Sequence, residues 1–89
     1  MTASRTVTIA SRTGLHARPA ALFVKAAAGS GQAVQIAAPT GSANAASLLS
    51  LMALGIEHGA EVTVEVTGAE EERVADELAA LLASDLDAE

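Results

Sequence analysis

The stretch EVTVEVTGAEEERVADELAALLA, Glu61 to Ala83, changes its hydrophobic period halfway and thereby defines two elements and how they meet. In its first part Val62, Val64 and Val66 alternate with glutamate and threonine, the pattern of a strand with one buried and one wet face. Beyond Gly68 the apolar positions become Val74, Leu78, Leu81 and Leu82, which share one side of a helix. Glu70, Glu71 and Glu72 come first, at the end where the helix dipole favours negative charge. A half-wet strand followed by an amphipathic helix predicts a helix laid on the buried side of an open sheet.

The same alternation recurs upstream. RTVTIA, Arg5 to Ala10, sets Val7 and Ile9 against Thr6 and Thr8, and QAVQIAA, Gln32 to Ala38, repeats it through Val34 and Ile36. Between them ARPAALFVKAAA, Ala17 to Ala28, is rich in helix formers and is stopped by Gly29, Ser30 and Gly31. PTGSANA, Pro39 to Ala45, offers a turn and a short polar strand; SLLSLMAL, Ser47 to Leu54, is a second helix closed by Gly55. The predicted order is β-α-β-β-α-β-α: an α+β open-faced sandwich with an antiparallel sheet and helices on one face. With 89 residues, 51% of them hydrophobic, the chain is expected to form one domain over residues 1–89 around a single core.

Composition excludes several functions. A net charge of -6 and an aromatic content of 1%, the single Phe23, argue against nucleic acid, which calls for clustered cations and stacking platforms. There is no cysteine, so no disulfide or thiolate metal site, which suits a reducing cytoplasm. No apolar run approaches the ~20 residues that span a bilayer, and the N-terminus lacks the apolar core of a signal peptide, so a soluble cytoplasmic protein without membrane insertion is expected. Neither GSG nor TGSANAAS ends in the Gly-Lys-Ser/Thr of a nucleotide loop. His16 and His58 are far apart in sequence, and although Glu57 flanks His58 no cluster of carboxylates or thiols accompanies either ring, so no metal and no cofactor are expected.

Chemistry concentrates in TGLHARP, Thr13 to Pro19. Gly14 permits a tight approach, and Pro19 suits a first helical turn, where its missing N–H has no intrahelical partner. Together they put His16 at a helix start. There the dipole disfavours imidazolium, and a neutral ring nitrogen is the nucleophilic form. The same end attracts anions through its backbone N–H groups. A phosphoryl group on the ring would meet the N–H groups of Ala17 and Arg18, with the Arg18 guanidinium as a charge-matched partner. Residue types alone leave two readings: a phosphohistidine, or a surface histidine that merely caps the helix.

The second helix is similarly two-sided. Leu51 and Leu54 project to one side and Leu48, Leu49 and Met52 to the other, an apolar arc of roughly 220° where a core stripe needs about 100°. Such an arc is either buried all round or carries an exposed contact surface to which the adaptable Met52 is suited. Ser47, just ahead of the helical run, reads as its N-cap.

GLHARPA, Gly14 to Ala20, together with NAASLLSLMALGIEHGAEVTV, Asn44 to Val64, resembles the HPr family, the histidine-containing phosphocarriers of the sugar phosphotransferase system. The likeness covers nearly the whole chain and implies a four-stranded antiparallel sheet with three helices. It further implies that His16 accepts a phosphoryl group on Nδ1 from phosphorylated Enzyme I and passes it to sugar-specific EIIA proteins or domains. Arg18 then steadies the phosphoryl oxygens, Thr13 helps cap the helix, and Leu48, Leu49 and Met52 dock partners. A carrier of this kind acts as a monomer and turns over no substrate by itself. In some family members the serine at the position of Ser47 is phosphorylated by an HPr kinase; Ala46 departs from the lysine frequent there. Carriers of nitrogen-related or fructose-specific relays share the same histidine motif. A non-catalytic regulatory binding module would not need both His16 and Arg18.

Overall fold

The computed structural model describes residues 2–10 and 17–83. In chain order these form β1 (Thr2–Thr8), α1 (Ala17–Gly29), β2 (Ala33–Ala38), β3 (Gly41–Asn44), α2 (Leu48–Ala53), β4 (Glu61–Thr67) and α3 (Glu71–Ala83). The strands make one sheet in the order β1-β4-β2-β3, with every neighbouring pair antiparallel. The predicted α+β open-faced sandwich is the observed architecture.

Alternation does the sorting. Val62, Val64 and Val66 of β4 and Val34 and Ile36 of β2 are buried beneath the helices. From above they meet Ala20, Phe23 and Ala27 of α1, Leu51 of α2, and Val74, Ala75, Leu78 and Leu82 of α3. Phe23 is the largest wholly buried side chain, and the small buried Ala20 and Ala27 on the same helix face let α1 lie close to the sheet. The opposite sheet face carries hydroxyls, carboxylates and carboxamides. Thr2 faces Thr67 and Thr6 faces Thr63, their hydroxyl oxygens 2.8 and 3.1 Å apart, while Ser4, Glu65, Gln35 and Asn44 align in one cross-strand row.

β1 differs from the expectation of a strand starting at Arg5, because Thr2 to Ser4 also pair with β4. The buried residue there is Ala3, whose single methyl leaves no apolar alternation for a sequence to display. Arg5 stands on the helix-facing side between Ala3 and Val7, and its Nε donates to Asp76 Oδ1 of α3 at 2.7 Å. An inward-pointing charge on an edge strand discourages a further strand from pairing there.

Candidate functional site

Hydrogen bonds hold the chain on both sides of the histidine motif. Ile9 N–H donates to Ala60 O at 2.9 Å, Gly59 N–H to Ile9 O at 3.0 Å, and Ala10 N–H to Leu82 O at 3.3 Å. Ala10 is thus tied to the end of α3 one residue before Ser11. On the far side α1 begins at Ala17 and is seated by Ala20, Phe23 and Ala27 in the core. His16 and Thr13 lie outside the described residues; His16 is the chain neighbour of the first helical residue. Ala17 and Arg18 open the helix, and the Arg18 side chain is exposed. Their N–H groups fall in the first turn, where a helix supplies no acceptor of its own, so an anion brought to this end meets donors and a guanidinium together.

α2 sits beside this helix and resolves the two readings of its apolar arc. Leu51 is fully buried and Leu54 nearly so, whereas Leu48, Leu49 and Met52 are exposed by 37%, 84% and 40%. Both ends of this short helix are fastened. Ser47 is the N-cap, its Oγ accepting from Ser50 N–H at 3.3 Å, and Asn44 Oδ1 accepts from Ala46 N–H at 2.9 Å just upstream. At the other end Thr40 Oγ1 donates to Leu54 O at 2.5 Å, and Gly55 leaves the helix at φ 61°, a conformation that glycine adopts without a Cβ clash. The exposed leucines are therefore presented by a rigid support. Leu22 of α1, 40% exposed, joins them as a large apolar surface residue not anticipated from the sequence. Its place outside the 20–23–27 stripe is the signal that reveals it.

Charge is segregated along the chain. The first 56 residues contain four basic side chains and no acidic one, while the last 33 contain eleven acidic side chains and one basic one. In space the described acids lie on β4, α3 and the loops leading into them, and α1 and α2 carry none. Arg73 is enclosed by its own helix: Glu70 first, through a 2.6 Å hydrogen bond to Nε, and then Glu77 hold its guanidinium pKa above the ordinary value. Arg5 is engaged by Asp76. The basic side chains of α1, Arg18 and Lys25, thus belong to a helix with no carboxylate of its own, and Glu77 of α3 lines the same α1–α3 cleft as Lys25. Among the described residues no group of three or more histidine, cysteine, aspartate or glutamate side chains could hold a metal ion, and no helix is long and apolar enough to cross a membrane.

Comparison with known proteins follows the same lines. Residues 3–84 match the family model described as the PTS HPr component phosphorylation site. The phosphocarrier protein HPr of Streptomyces coelicolor is 41% identical over 86 residues, covering 96% of this chain and 92% of the relative. An HPr from Thermoanaerobacter tengcongensis superposes with a TM-score of 0.90 at 34% identity, covering 98% of each chain. The crystal structure of an HPr from Bacillus anthracis superposes with a TM-score of 0.86 at 32% identity, covering 91% of this chain and 96% of that one.

Proposed function

Since the chain belongs to the HPr family of phosphocarriers of the phosphotransferase system, we propose that it relays a phosphoryl group from phosphorylated Enzyme I to EIIA through His16. Nδ1 of the neutral ring attacks phosphorus, a new N–P bond forms, and the bond holding phosphorus to Enzyme I breaks with its electron pair returning to the donor. Delivery to EIIA repeats the exchange with the chain as donor. No water takes part and no phosphate is released. Phosphoryl transfer depends mainly on positioning and electrostatic stabilisation. The residues suited to these tasks are the N–H groups of Ala17 and Arg18 and the Arg18 guanidinium.

The observation that carries this reading is a helix N-terminus, opened by Ala17 and Arg18, beside an exposed apolar surface with no acidic residue on either helix. Leu48, Leu49 and Met52 are the contact residues for both partners, which must bind in turn and leave. Such exchange takes place in the cytoplasm. Ser47 is the site where an HPr kinase would regulate the carrier: a phosphate there adds nearly two negative charges beside the apolar contact.

Incubation with Enzyme I and phosphoenolpyruvate, followed by intact mass measurement, is the test. One acid-labile phosphoryl group is expected on the wild-type chain and none on His16→Ala; equal labelling of that variant would overturn the assignment. Subsequent addition of EIIA should remove the label from the chain and place it on EIIA.

A further inference from the structure

β1 is an end strand of the sheet, paired with β4 alone, and its other side is an open backbone edge. Which residues face that edge follows from the end of the strand. Ile9 N–H donates to Ala60 O and Ile9 O accepts from Gly59 N–H, so the backbone groups of Ile9 point toward β4. Alternation then turns those of Val7, Arg5 and Ala3 toward β4 and those of Thr8, Thr6, Ser4 and Thr2 toward the open edge. At the opposite end of the sheet β3 has 4 residues against the 7 of β1, so β1 is the longer template for a further strand.

Two bonds from Arg5 close that template at its middle. Its Nη1 donates to Ser4 O, one of the outward carbonyls, at 2.9 Å, while its Nε donates to Asp76 Oδ1 of α3 at 2.7 Å. The guanidinium therefore folds over the strand edge and is held there by α3. Without it, the edge suits a second copy of β1. In a two-fold antiparallel pairing centred on Arg5, Thr2 stands opposite Thr8 and Ser4 opposite Thr6 on the wet face, and Ala3 opposite Val7 on the helix-facing side. Hydroxyl pairs of this kind stabilise cross-strand contact. Arg5 opposes the pairing twice. Ser4 O, occupied by Nη1, is the acceptor that the Thr6 N–H of a second copy would need. The two Arg5 side chains would also stand directly opposite, at the closer type of antiparallel pair, where like charges repel.

We propose that Arg5 and Asp76 form an edge guard that keeps β1 from pairing with β1 of a second copy. The chain then stays monomeric because one side chain covers a self-complementary edge. Arg5 blocks and Asp76 holds: loss of the carboxylate frees the guanidinium to swing away from Ser4 O, whereas loss of Arg5 removes both the competing donor and the like-charge contact. The guard uses no residue of the phosphoryl relay and is read out by mass and amide exchange, so it stands or falls independently of that function.

The test is sedimentation equilibrium of the full chain from micromolar to millimolar concentration. The wild-type chain should stay monomeric throughout. Arg5→Thr should approach twice the monomer mass at the upper end, even though it carries one more net negative charge. Asp76→Ala, at an exposed position of α3, should keep the fold and dimerise more weakly; Glu72→Ala, which removes the same charge from another exposed position of that helix, should remain monomeric. Hydrogen exchange locates the contact: the Ser4 and Thr6 amides should exchange quickly in the wild type and about tenfold more slowly in the Arg5→Thr dimer. A monomeric Arg5→Thr, a wild-type dimer protected along β1, or a variant dimer protected at Leu48, Leu49 and Met52 in place of Ser4 and Thr6 would each overturn the guard. Equal behaviour of Asp76→Ala and Glu72→Ala would overturn the part given to Asp76.

Discussion

The side-chain oxygen of Gln32 accepts the backbone N–H of Glu70 at 3.1 Å, joining the start of β2 to the start of α3 across 38 residues of chain. Glu70 is the residue whose carbonyl accepts the first bond of α3, from Val74 N–H, so its own N–H has no partner within the helix. In a capping box that N–H is satisfied by the third helical residue. Here the third residue is Arg73, occupied with the Glu70 carboxylate, and a carboxamide from another element takes the role.

Gly68 makes room for it. A Cβ built at that position would lie 1.8 Å from Gln32 Oε1, and the backbone is at φ +155°. Gly68→Ala should therefore cost about 2 kcal/mol, combining backbone strain with a displaced cap, and Gln32→Ala about 1 kcal/mol. The two losses should be less than additive in the double variant, because the alanine at position 32 removes the clash. Urea unfolding of all three variants measures this; strict additivity would show that the carboxamide and the glycine are unrelated.

Neighbouring leucines of α2 should separate stability from docking. Leu51→Ala empties a fully buried site and is expected to cost about 2–5 kcal/mol. Leu49, 84% exposed, should tolerate alanine within about 0.5 kcal/mol. Leu49→Asp should leave thermal unfolding nearly unchanged while slowing phosphoryl transfer from Enzyme I at limiting carrier concentration. Unimpaired transfer would remove Leu49 from the proposed contact.

Ser47 can be examined through its cap. Ser47→Ala removes the acceptor for Ser50 N–H and should cost about 1 kcal/mol, or roughly 4–8 °C in melting temperature for a domain of this size. Ser47→Asp keeps a capping oxygen and should retain most of that stability. Its added charge should nevertheless weaken Enzyme I binding, measurable by calorimetry. Equal affinities for the alanine and aspartate variants would argue against charge as the regulatory lever.

Arg73 offers a prediction about pH. Its folded pKa is raised, by Glu70 first and Glu77 second, so the associated stability is complete below the unfolded arginine pKa and is lost only as pH rises through the raised value. That window is strongly alkaline. Arg73→Gln should therefore lower stability by a small amount that does not vary between neutral and mildly alkaline solution, and added salt should erase the difference. A slope with pH in that interval would implicate another group.

Much of this was legible in the residues. Valine alternation in β4 and β2, and the leucine spacing of α3, fixed faces and periods because each large apolar side chain has one place to go. The split of α2 into Leu51 and Leu54 against Leu48, Leu49 and Met52 was readable for the same reason, although which half is exposed depends on the neighbouring elements. The first residues of β1 were not legible: Ala3 hides the inward side, and pairing with β4 supplies what propensity does not. Nor was the Gln32 cap, since a contact between residues 38 apart leaves no local pattern. Among the candidate residues, the helix-start positions of Ala17 and Arg18 and the cap at Ser47 were readable through helix-end chemistry, which is local; Leu22 was overlooked because a single leucine off the core stripe carries no periodicity.

The segregation of charge also has a kinetic side. A chain with net charge -6 is pushed away from an acidic partner at long range, yet the described acids are confined to β4, α3 and the loops leading into them, an asymmetry that gives the molecule a dipole and favours approach through α1 and α2. Monopole and dipole act in opposite directions on the encounter rate, and mobile ions screen both. The association rate should accordingly respond to ionic strength far less than steering by a uniformly basic carrier would. What the dipole determines is orientation: collisions that occur are biased toward α1 and α2, the helices that carry no acidic residue.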